Sequence, residues 1–336
     1  MTRHDVSARL GAALLVLIAS LALFAPVLAP NDPDRQFADR AYAPPMRVHV
    51  FGPHGLQRPF VFRQVLEDRL LRRYREDTTT VLPLRWFAGG RLVSLDDAGE
   101  PLLLFGADPL GRDTFSRLVH GARLSLGVTL AGVIGAVLLG AVVGALAGSL
   151  GGAADSLLML AADFMLVLPG AYLVLVLRSV LPVTLSTAQV FGLMAVLFAV
   201  AAWPHTARGV RAIVATERRR EYAEAARAIG AGPIRLARHL VPAAFGFLAV
   251  EVALLVPALL VAEATLSFLG LGFPEPRPSW GRMLHDAANV TVLREAPWML
   301  APAAALFVVV LGVQLTGRGR GGASPALSAR HPPASF

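Results

Sequence analysis

Between Leu124 and Ala154 the chain carries 31 consecutive residues without an aspartate, glutamate, lysine or arginine. A helix that crosses the hydrocarbon of a bilayer needs roughly 20 mostly apolar residues, because its backbone must satisfy every N–H and C=O internally. Similar stretches recur along the sequence. Leu10 to Ala29 is uncharged and follows Arg3 and Arg9. It reads as an uncleaved first span, since a proline follows Ala29 and the apolar run is longer than that of a usual signal peptide. Ser156 to Arg178, which holds Asp163 and Pro169, is a third span, and Ser179 to Ala207 a fourth after a turn at Pro182. Leu240 to Phe273 is apolar apart from Glu251 and Glu263, with Pro257 between them, and Ala296 to Gly317 is the last. The expected fold is an all-α polytopic membrane protein of about six helices. Composition agrees: of 336 residues 55% are hydrophobic and 16% charged, where a soluble domain carries roughly a quarter charged residues.

Gly132, Ala136, Gly140, Gly144 and Gly148 stand four apart, on one helix face. Such a stripe of small residues lets a second helix approach closely in lipid. The intramembrane acids Asp163, Glu251 and Glu263 are costly in hydrocarbon and are expected to face protein or water, as pathway residues or as helix-packing hydrogen bonders.

All 31 basic residues are arginine, and cysteine is absent. Without lysine there is no Schiff-base chemistry and no P-loop, whose lysine must reach the nucleotide phosphates. Without cysteine there is no thiol nucleophile, disulfide or thiolate metal site. The eight histidines show no H-E-x-x-H spacing, so neither a metal nor a cofactor is expected on this chain. The net charge of +8 fits basic cytoplasmic loops, and no nucleic-acid partner is expected.

Short-loop arginines set orientation. The connection 205–240 holds Arg208, Arg211, Arg218, Arg219, Arg220, Arg227, Arg235 and Arg238, which places it in the cytoplasm. Six spans then put both termini, with Arg3 and Arg9 at one and Arg318, Arg320 and Arg330 at the other, on that same side. The chain divides into a first span at 1–30, an extracytoplasmic insert at 31–105, a core at 106–317 and a disordered tail at 318–336. In the insert, Arg47 to Phe51, Val81 to Phe87 and Gly90 to Leu95 read as β-like runs, and Asp96 with Asp97 as a solvated turn. Gln64 to Glu76 reads as an amphipathic helix on the spacing of Val65, Leu66, Leu70 and Tyr74, making the insert small and mixed α/β. Arg112, Asp113 and Arg117 read as a helix cap or an interfacial ion pair, with an outer gate as the alternative. Trp280 reads as an interface-belt residue, and Asp286 and Glu295 as candidate contacts to a partner outside the membrane.

The basic connection is long for a linker. Arg218 to Ile229 is rich in helix formers and ends at Gly230, the residue expected just past a helix end. A second short helix is expected over Ile234 to His239, and Pro242 opens the next span. The first helix presents Ala225 and Ala226, small side chains on which a partner's cleft can close.

Glu224-Ala225-Ala226-x-x-x-Gly230 followed by Leu240-Val241-Pro242 resembles the E-A-A-x-x-x-G motif of permease subunits in binding-protein-dependent ABC importers. Phe105-Gly106-Ala107-Asp108-Pro109-Leu110-Gly111-Arg112-Asp113, the run from Ala262 to Gly272 and Pro278-Ser279-Trp280-Gly281-Arg282-Met283-Leu284 narrow the resemblance to the second permease subunit of the dipeptide/oligopeptide/nickel group. The resemblance implies a type I importer bundle in the bacterial inner membrane. It implies pairing with a second, similar permease, two ATPase subunits that hold ATP and magnesium, and an extracytoplasmic solute-binding protein. Glu221, Tyr222, Glu224, Ala225, Ala226 and Gly230 would then form the coupling helix, and the chain would not itself be an enzyme. Di- or oligopeptides are the expected cargo, with nickel complexes or other small solutes as alternatives. Two other classes compete: a secondary transporter working through Asp163, Glu251 and Glu263, and a membrane-embedded hydrolase or ligase with His49, His54, Asp108 and Asp113 in its outer loop.

Overall fold

The computed structural model describes residues 3–52, 55–69, 72–95, 99–167, 185–229, 232 and 240–321. The chain enters through α1 (Arg3–Leu23) and the short α2 (Ala25–Leu28), then forms strands β1 (His49–Gly52), β2 (Gly55–Asp68), β3 (Arg73–Trp86) and β4 (Val93–Leu95). It returns to helix with α3 (Thr114–Leu150), α4 (Gly152–Val167), α5 (Thr187–Glu217), α6 (Glu221–Ala228) and α7 (Phe245–Phe268). Two short helices, α8 (Trp280–Asp286) and α9 (Val290–Glu295), lead to α10 (Ala301–Gly321). Among the described residues five helical stretches are long and apolar enough to cross a membrane: those of α1, α3, α5, α7 and α10.

Local chemistry sets several of the boundaries. Asp113 accepts the free N–H groups of Phe115 and Ser116 and so starts α3, while Gly151 ends it with φ +68°, a conformation that costs glycine little. Ser186 and Gln189 form a reciprocal capping box at the start of α5. That helix runs ten residues beyond the expected Ala207, so Arg208 and Arg211 are helical rather than part of a loop. The reason is general: loss of apolar character marks the edge of the hydrocarbon, whereas arginine is a good helix former and need not end the helix. The expected third span is described only as far as Val167; Pro169 and Pro182 lie outside the described residues.

The small-residue stripe meets α5 as the sequence predicts. A Cβ added at Gly132 would stand 2.6 Å from Phe198 Cβ, one at Gly140 2.5 Å from Thr206 Cβ, and one at Gly144 2.4 Å from the carbonyl oxygen of Ala207. These contacts climb both helices together, so α3 and α5 run parallel with their last turns side by side. Val128, Val133 and Ala136 of α3 pack with Val190, Met194 and Phe198 of α5 and with Leu255 and Leu259 of α7. α1 runs antiparallel to α10, with Gly11 against Gly312 and Thr316. One end of the bundle therefore gathers the start of α1, the ends of α3, α5 and α10 and the start of α7. The other end carries α2, the sheet, α8 and α9.

The expected helix over Gln64 to Glu76 is instead the closing part of a β-hairpin, with Val65 paired to Arg75 and Leu66 to Tyr74 in an antiparallel ladder. Helical spacing of four apolar residues did not decide the structure, because the neighbouring residues obey a period of two. Leu82 and Leu84 are buried while Val81, Pro83 and Arg85 are exposed, and long antiparallel strands satisfy the same backbone groups that a helix would. The four strands form one sheet in the order β1-β2-β3-β4, and the expected β-like runs fall on β1, β3 and β4. Val61, Leu82, Leu84, Leu102, Leu103, Ala43 and Met46 make its apolar core. Asp96 and Asp97 lie outside the described residues.

Candidate functional site

At the arginine-rich end α5 stops at Glu217, and the chain turns through Arg218 to Arg220 into α6. Arg220 pairs with Glu217 at 2.9 Å, and the Tyr222 hydroxyl donates to Glu217 Oε2 at 2.8 Å, so the turn is tied to the end of α5. Donation to that carboxylate holds the Tyr222 phenol above its ordinary range. Glu221 and Glu224 occupy the first turn of α6, where negative charge complements the helix dipole.

One side chain seats α6 on the bundle. Ala223 is fully buried, packed with Ala145 of α3, Val210 and Val214 of α5, and Leu240 and Ala244 at the start of α7. Through Ala223, α6 thus joins an apolar cluster that also draws on α3, α5 and the segment leading into α7. Glu221, Tyr222, Glu224 and Ala225 are exposed, and Ile229 is 88% exposed. Ala226 lies on the same helix. Gly230 and the expected helix Ile234 to His239 lie outside the described residues. Sequence spacing picked out the exposed residues but not Ala223, whose only signal was its position between two exposed glutamates on an otherwise polar helix. The surface offers charge, one phenol and an apolar tip.

The three intramembrane acids are engaged separately. Asp163 of α4 forms an ion pair with Arg208 of α5. Glu251 accepts from the Thr206 hydroxyl at 3.4 Å, and the fully buried Glu263 accepts from the Ser267 hydroxyl at 2.7 Å. A fourth acid that sequence reasoning missed, Asp155, takes both an Nε–H and an Nη2–H of Arg211, at 2.9 and 2.5 Å. α4 is therefore fastened to α5 by two arginine pairs.

At the sheet end Asp113 caps α3, and the arginines expected beside it in an interfacial ion pair are buried. Asp113 is fully buried and accepts from Asn31 Nδ2 at 3.0 Å and from the Ser116 hydroxyl at 2.5 Å. Burial pushes its carboxyl up to about 6 against the pull of these donors. Arg112 donates to Asp108 and Glu275, at 2.6 and 3.1 Å, and approaches Asp286 at 3.5 Å. Arg117 donates to the carbonyl oxygens of Pro33 and Pro276, both at 3.2 Å. These residues form a knot that joins the segment after α2 and the start of α3 to the loop before α8. Asp286 is turned into the knot and is not a free contact residue; Glu295 is exposed. Trp280 is buried, its indole N–H donating to the Leu118 carbonyl at 3.0 Å, and so does not sit in an interface belt.

His49 stacks on Phe60 at 5.6 Å and shares no contact with the Asp108–Asp113 segment; His54 lies outside the described residues. Among the described residues no group of three His, Cys, Asp or Glu side chains could hold a metal ion.

The comparisons with known proteins agree with one another. Residues 140–316 match the family model of the binding-protein-dependent transport system inner membrane component, and residues 3–45 match the N-terminal transmembrane domain of oligopeptide transport permease C. A putative peptide permease protein of Brucella ovis is 37% identical over 231 residues, 68% of this chain and 74% of the relative. The di/tripeptide transport system permease protein of Pseudomonas aeruginosa is 32% identical over 319 residues, covering 94% of this chain and 86% of its own length. The dipeptide transport system permease protein of Escherichia coli is 33% identical, covering 94% and 88%.

Proposed function

Because the chain belongs to the family of binding-protein-dependent transport system inner membrane components, we propose that it is one permease of an ATP-driven importer for di- or oligopeptides. It pairs with a second, similar permease, receives cargo from a solute-binding protein at the sheet end, and is driven by two ATPase subunits seated on α6. The arginine-rich end faces the cytoplasm, with both termini on that side. ATP and magnesium belong to the ATPases, in keeping with a chain that has no lysine for a P-loop.

One observation carries this reading: α6 exposes Glu221, Tyr222, Glu224 and Ala225 while Ala223 is buried in an apolar cluster shared with α3, α5 and the segment leading into α7. A closing ATPase dimer that grips Glu221, Tyr222, Glu224, Ala225, Ala226 and Gly230 displaces α6, and the cluster around Ala223 passes that displacement to the ends of α3 and α5 and the start of α7. A packed contact of this kind biases a two-state bundle by rigid-body motion. The membrane acids need no proton traffic in this scheme: Asp163 and Glu251 are engaged by Arg208 and Thr206 of α5, and Glu263 by Ser267 one turn along its own helix. The knot around Arg112 holds the receiving end rather than gating it.

The test is peptide uptake by cells carrying this permease with its neighbouring reading frames. Glu224→Arg and Gly230→Leu are expected to abolish uptake and co-purification of the ATPase while the permease stays in the membrane at its normal level. Unchanged uptake and co-purification in both variants would remove the coupling role.

A further inference from the structure

The hairpin turn between β3 and β4 is fastened to the end of the first span. The Leu92 backbone N–H donates to the Val27 carbonyl at 2.6 Å, and the Arg91 guanidinium donates to the Pro30 carbonyl at 2.5 Å. Val27 belongs to α2, which follows α1 directly. Around this junction Leu23 and Phe24 are largely exposed, as lipid-facing residues of a spanning helix must be. The tip of an otherwise water-facing sheet is thus held where hydrocarbon gives way to headgroups.

The tip carries two large aromatics. Along β3, Leu82 and Leu84 point into the sheet core, and Trp86, next in that alternation, has run past the core and is 55% exposed. Phe87 follows with φ +56° and is 78% exposed. Its backbone is held by the N–H bond to the Leu92 carbonyl at 3.0 Å. The left-handed region is unfavourable for a bulky residue, so the turn holds this ring outward at a conformational cost. In water two exposed aromatics at one turn would forfeit the gain of burying them. At a membrane interface a tryptophan ring is at its preferred depth, and the flanking Arg85, also exposed, is placed where headgroup phosphates lie.

We propose that Trp86 and Phe87 insert into the interfacial layer of the leaflet in which α1 ends, so that the sheet is moored to lipid as well as to protein. Continuity carries the choice of lipid as occupant: the exposed apolar surface of Leu23, Phe24 and Val27 runs on to the turn that Val27 and Pro30 hold.

The chain has no cysteine, so a single Phe87→Cys variant takes one nitroxide label with no background. In nanodiscs of phosphatidylcholine and phosphatidylglycerol, the full chain labelled at Phe87→Cys is expected to collide with oxygen in preference to a water-soluble nickel chelate. The ratio should be several-fold above that of a Glu76→Cys control on the charged part of β3. Equal ratios would show that the turn lies in open water, and low accessibility to both reagents would show that protein covers it; either result overturns the proposal. A second measurement avoids the label. Brominated lipid is expected to quench less of the total tryptophan emission in Trp86→Phe than in the unaltered chain, because Trp203 and Trp280 are buried in protein. An unchanged quenchable fraction counts equally against lipid contact.

Discussion

Arg112 donates its Nε–H to Asp108 Oδ2 at 2.6 Å with its side chain only 1% exposed and that of the aspartate 6%. A buried pair adds little net stability, but removing one partner costs up to about 3–5 kcal/mol, less here because Arg117 Nε stays 3.4 Å from Asp108 Oδ2. Arg112→Met is therefore expected to lower the thermal unfolding temperature in detergent sharply, and the double change Asp108→Asn with Arg112→Met to recover part of the loss. A double variant no more stable than Arg112→Met would show that the pair is not the source of the cost.

Gly144 and Gly192 should answer the same substitution with opposite signs. A methyl at Gly144 meets the Ala207 carbonyl oxygen at 2.4 Å and Val210 Cβ at 2.9 Å, whereas one at Gly192 meets nothing within 4 Å. Gly144→Ala is expected to destabilise by roughly 1–3 kcal/mol through overpacking. Gly192→Ala should stabilise by roughly 0.5–1 kcal/mol through the helix interior's preference for alanine. Unfolding curves of the two variants in one detergent decide it, and equal shifts would contradict the close approach of α3 to α5.

Glu263 tests whether the membrane acids carry protons or hold helices. It is buried and accepts from Ser267, so Glu263→Gln keeps an acceptor oxygen and is expected to retain peptide uptake per inserted molecule. Glu263→Leu should lower the amount of folded protein first. Loss of uptake in a normally assembled Glu263→Gln permease would instead assign the carboxyl to the transport path.

Asp113 links stability to pH. Its folded pKa is raised from 3.8 to about 6, chiefly by burial, so between those values the folded chain binds the proton more tightly than the unfolded one. Stability from this group is present below the unfolded pKa and is lost as pH rises through the folded pKa, by about 3 kcal/mol in all. Asn is also a good helix cap, so Asp113→Asn should keep α3 capped and flatten the dependence between about pH 4 and pH 6. Parallel pH profiles for the two proteins would show that Asp113 does not titrate in that window.

The spans were legible in the sequence because hydrocarbon imposes a local rule: charge must be absent over a fixed length. The glycine stripe was legible for a similar reason, since close helix approach needs small residues at a regular interval. Asp113 announced itself as a cap by lying just before a helical run. The knot it belongs to did not, because Arg112 and Glu275 are 163 residues apart and nothing local ties an arginine to a distant acid. Ala223 was equally silent, as alanine suits both an exposed helix and a packed seat. The hairpin over Gln64 to Glu76 misled because four apolar residues at helical spacing also fit two strands, and only the cross-strand partners distinguish them.

The contact of Gly11 with Gly312 joins α1 to a helix made much later in synthesis. About 300 residues must leave the ribosome before α10 exists to cover the small face of α1. Through that interval the face of α1 that meets Gly312 lacks its partner, so this one contact forms late. A newly made chain truncated before Ala301 would leave α1 without that contact, so the packing of α1 on α10 reports that synthesis has run through α10.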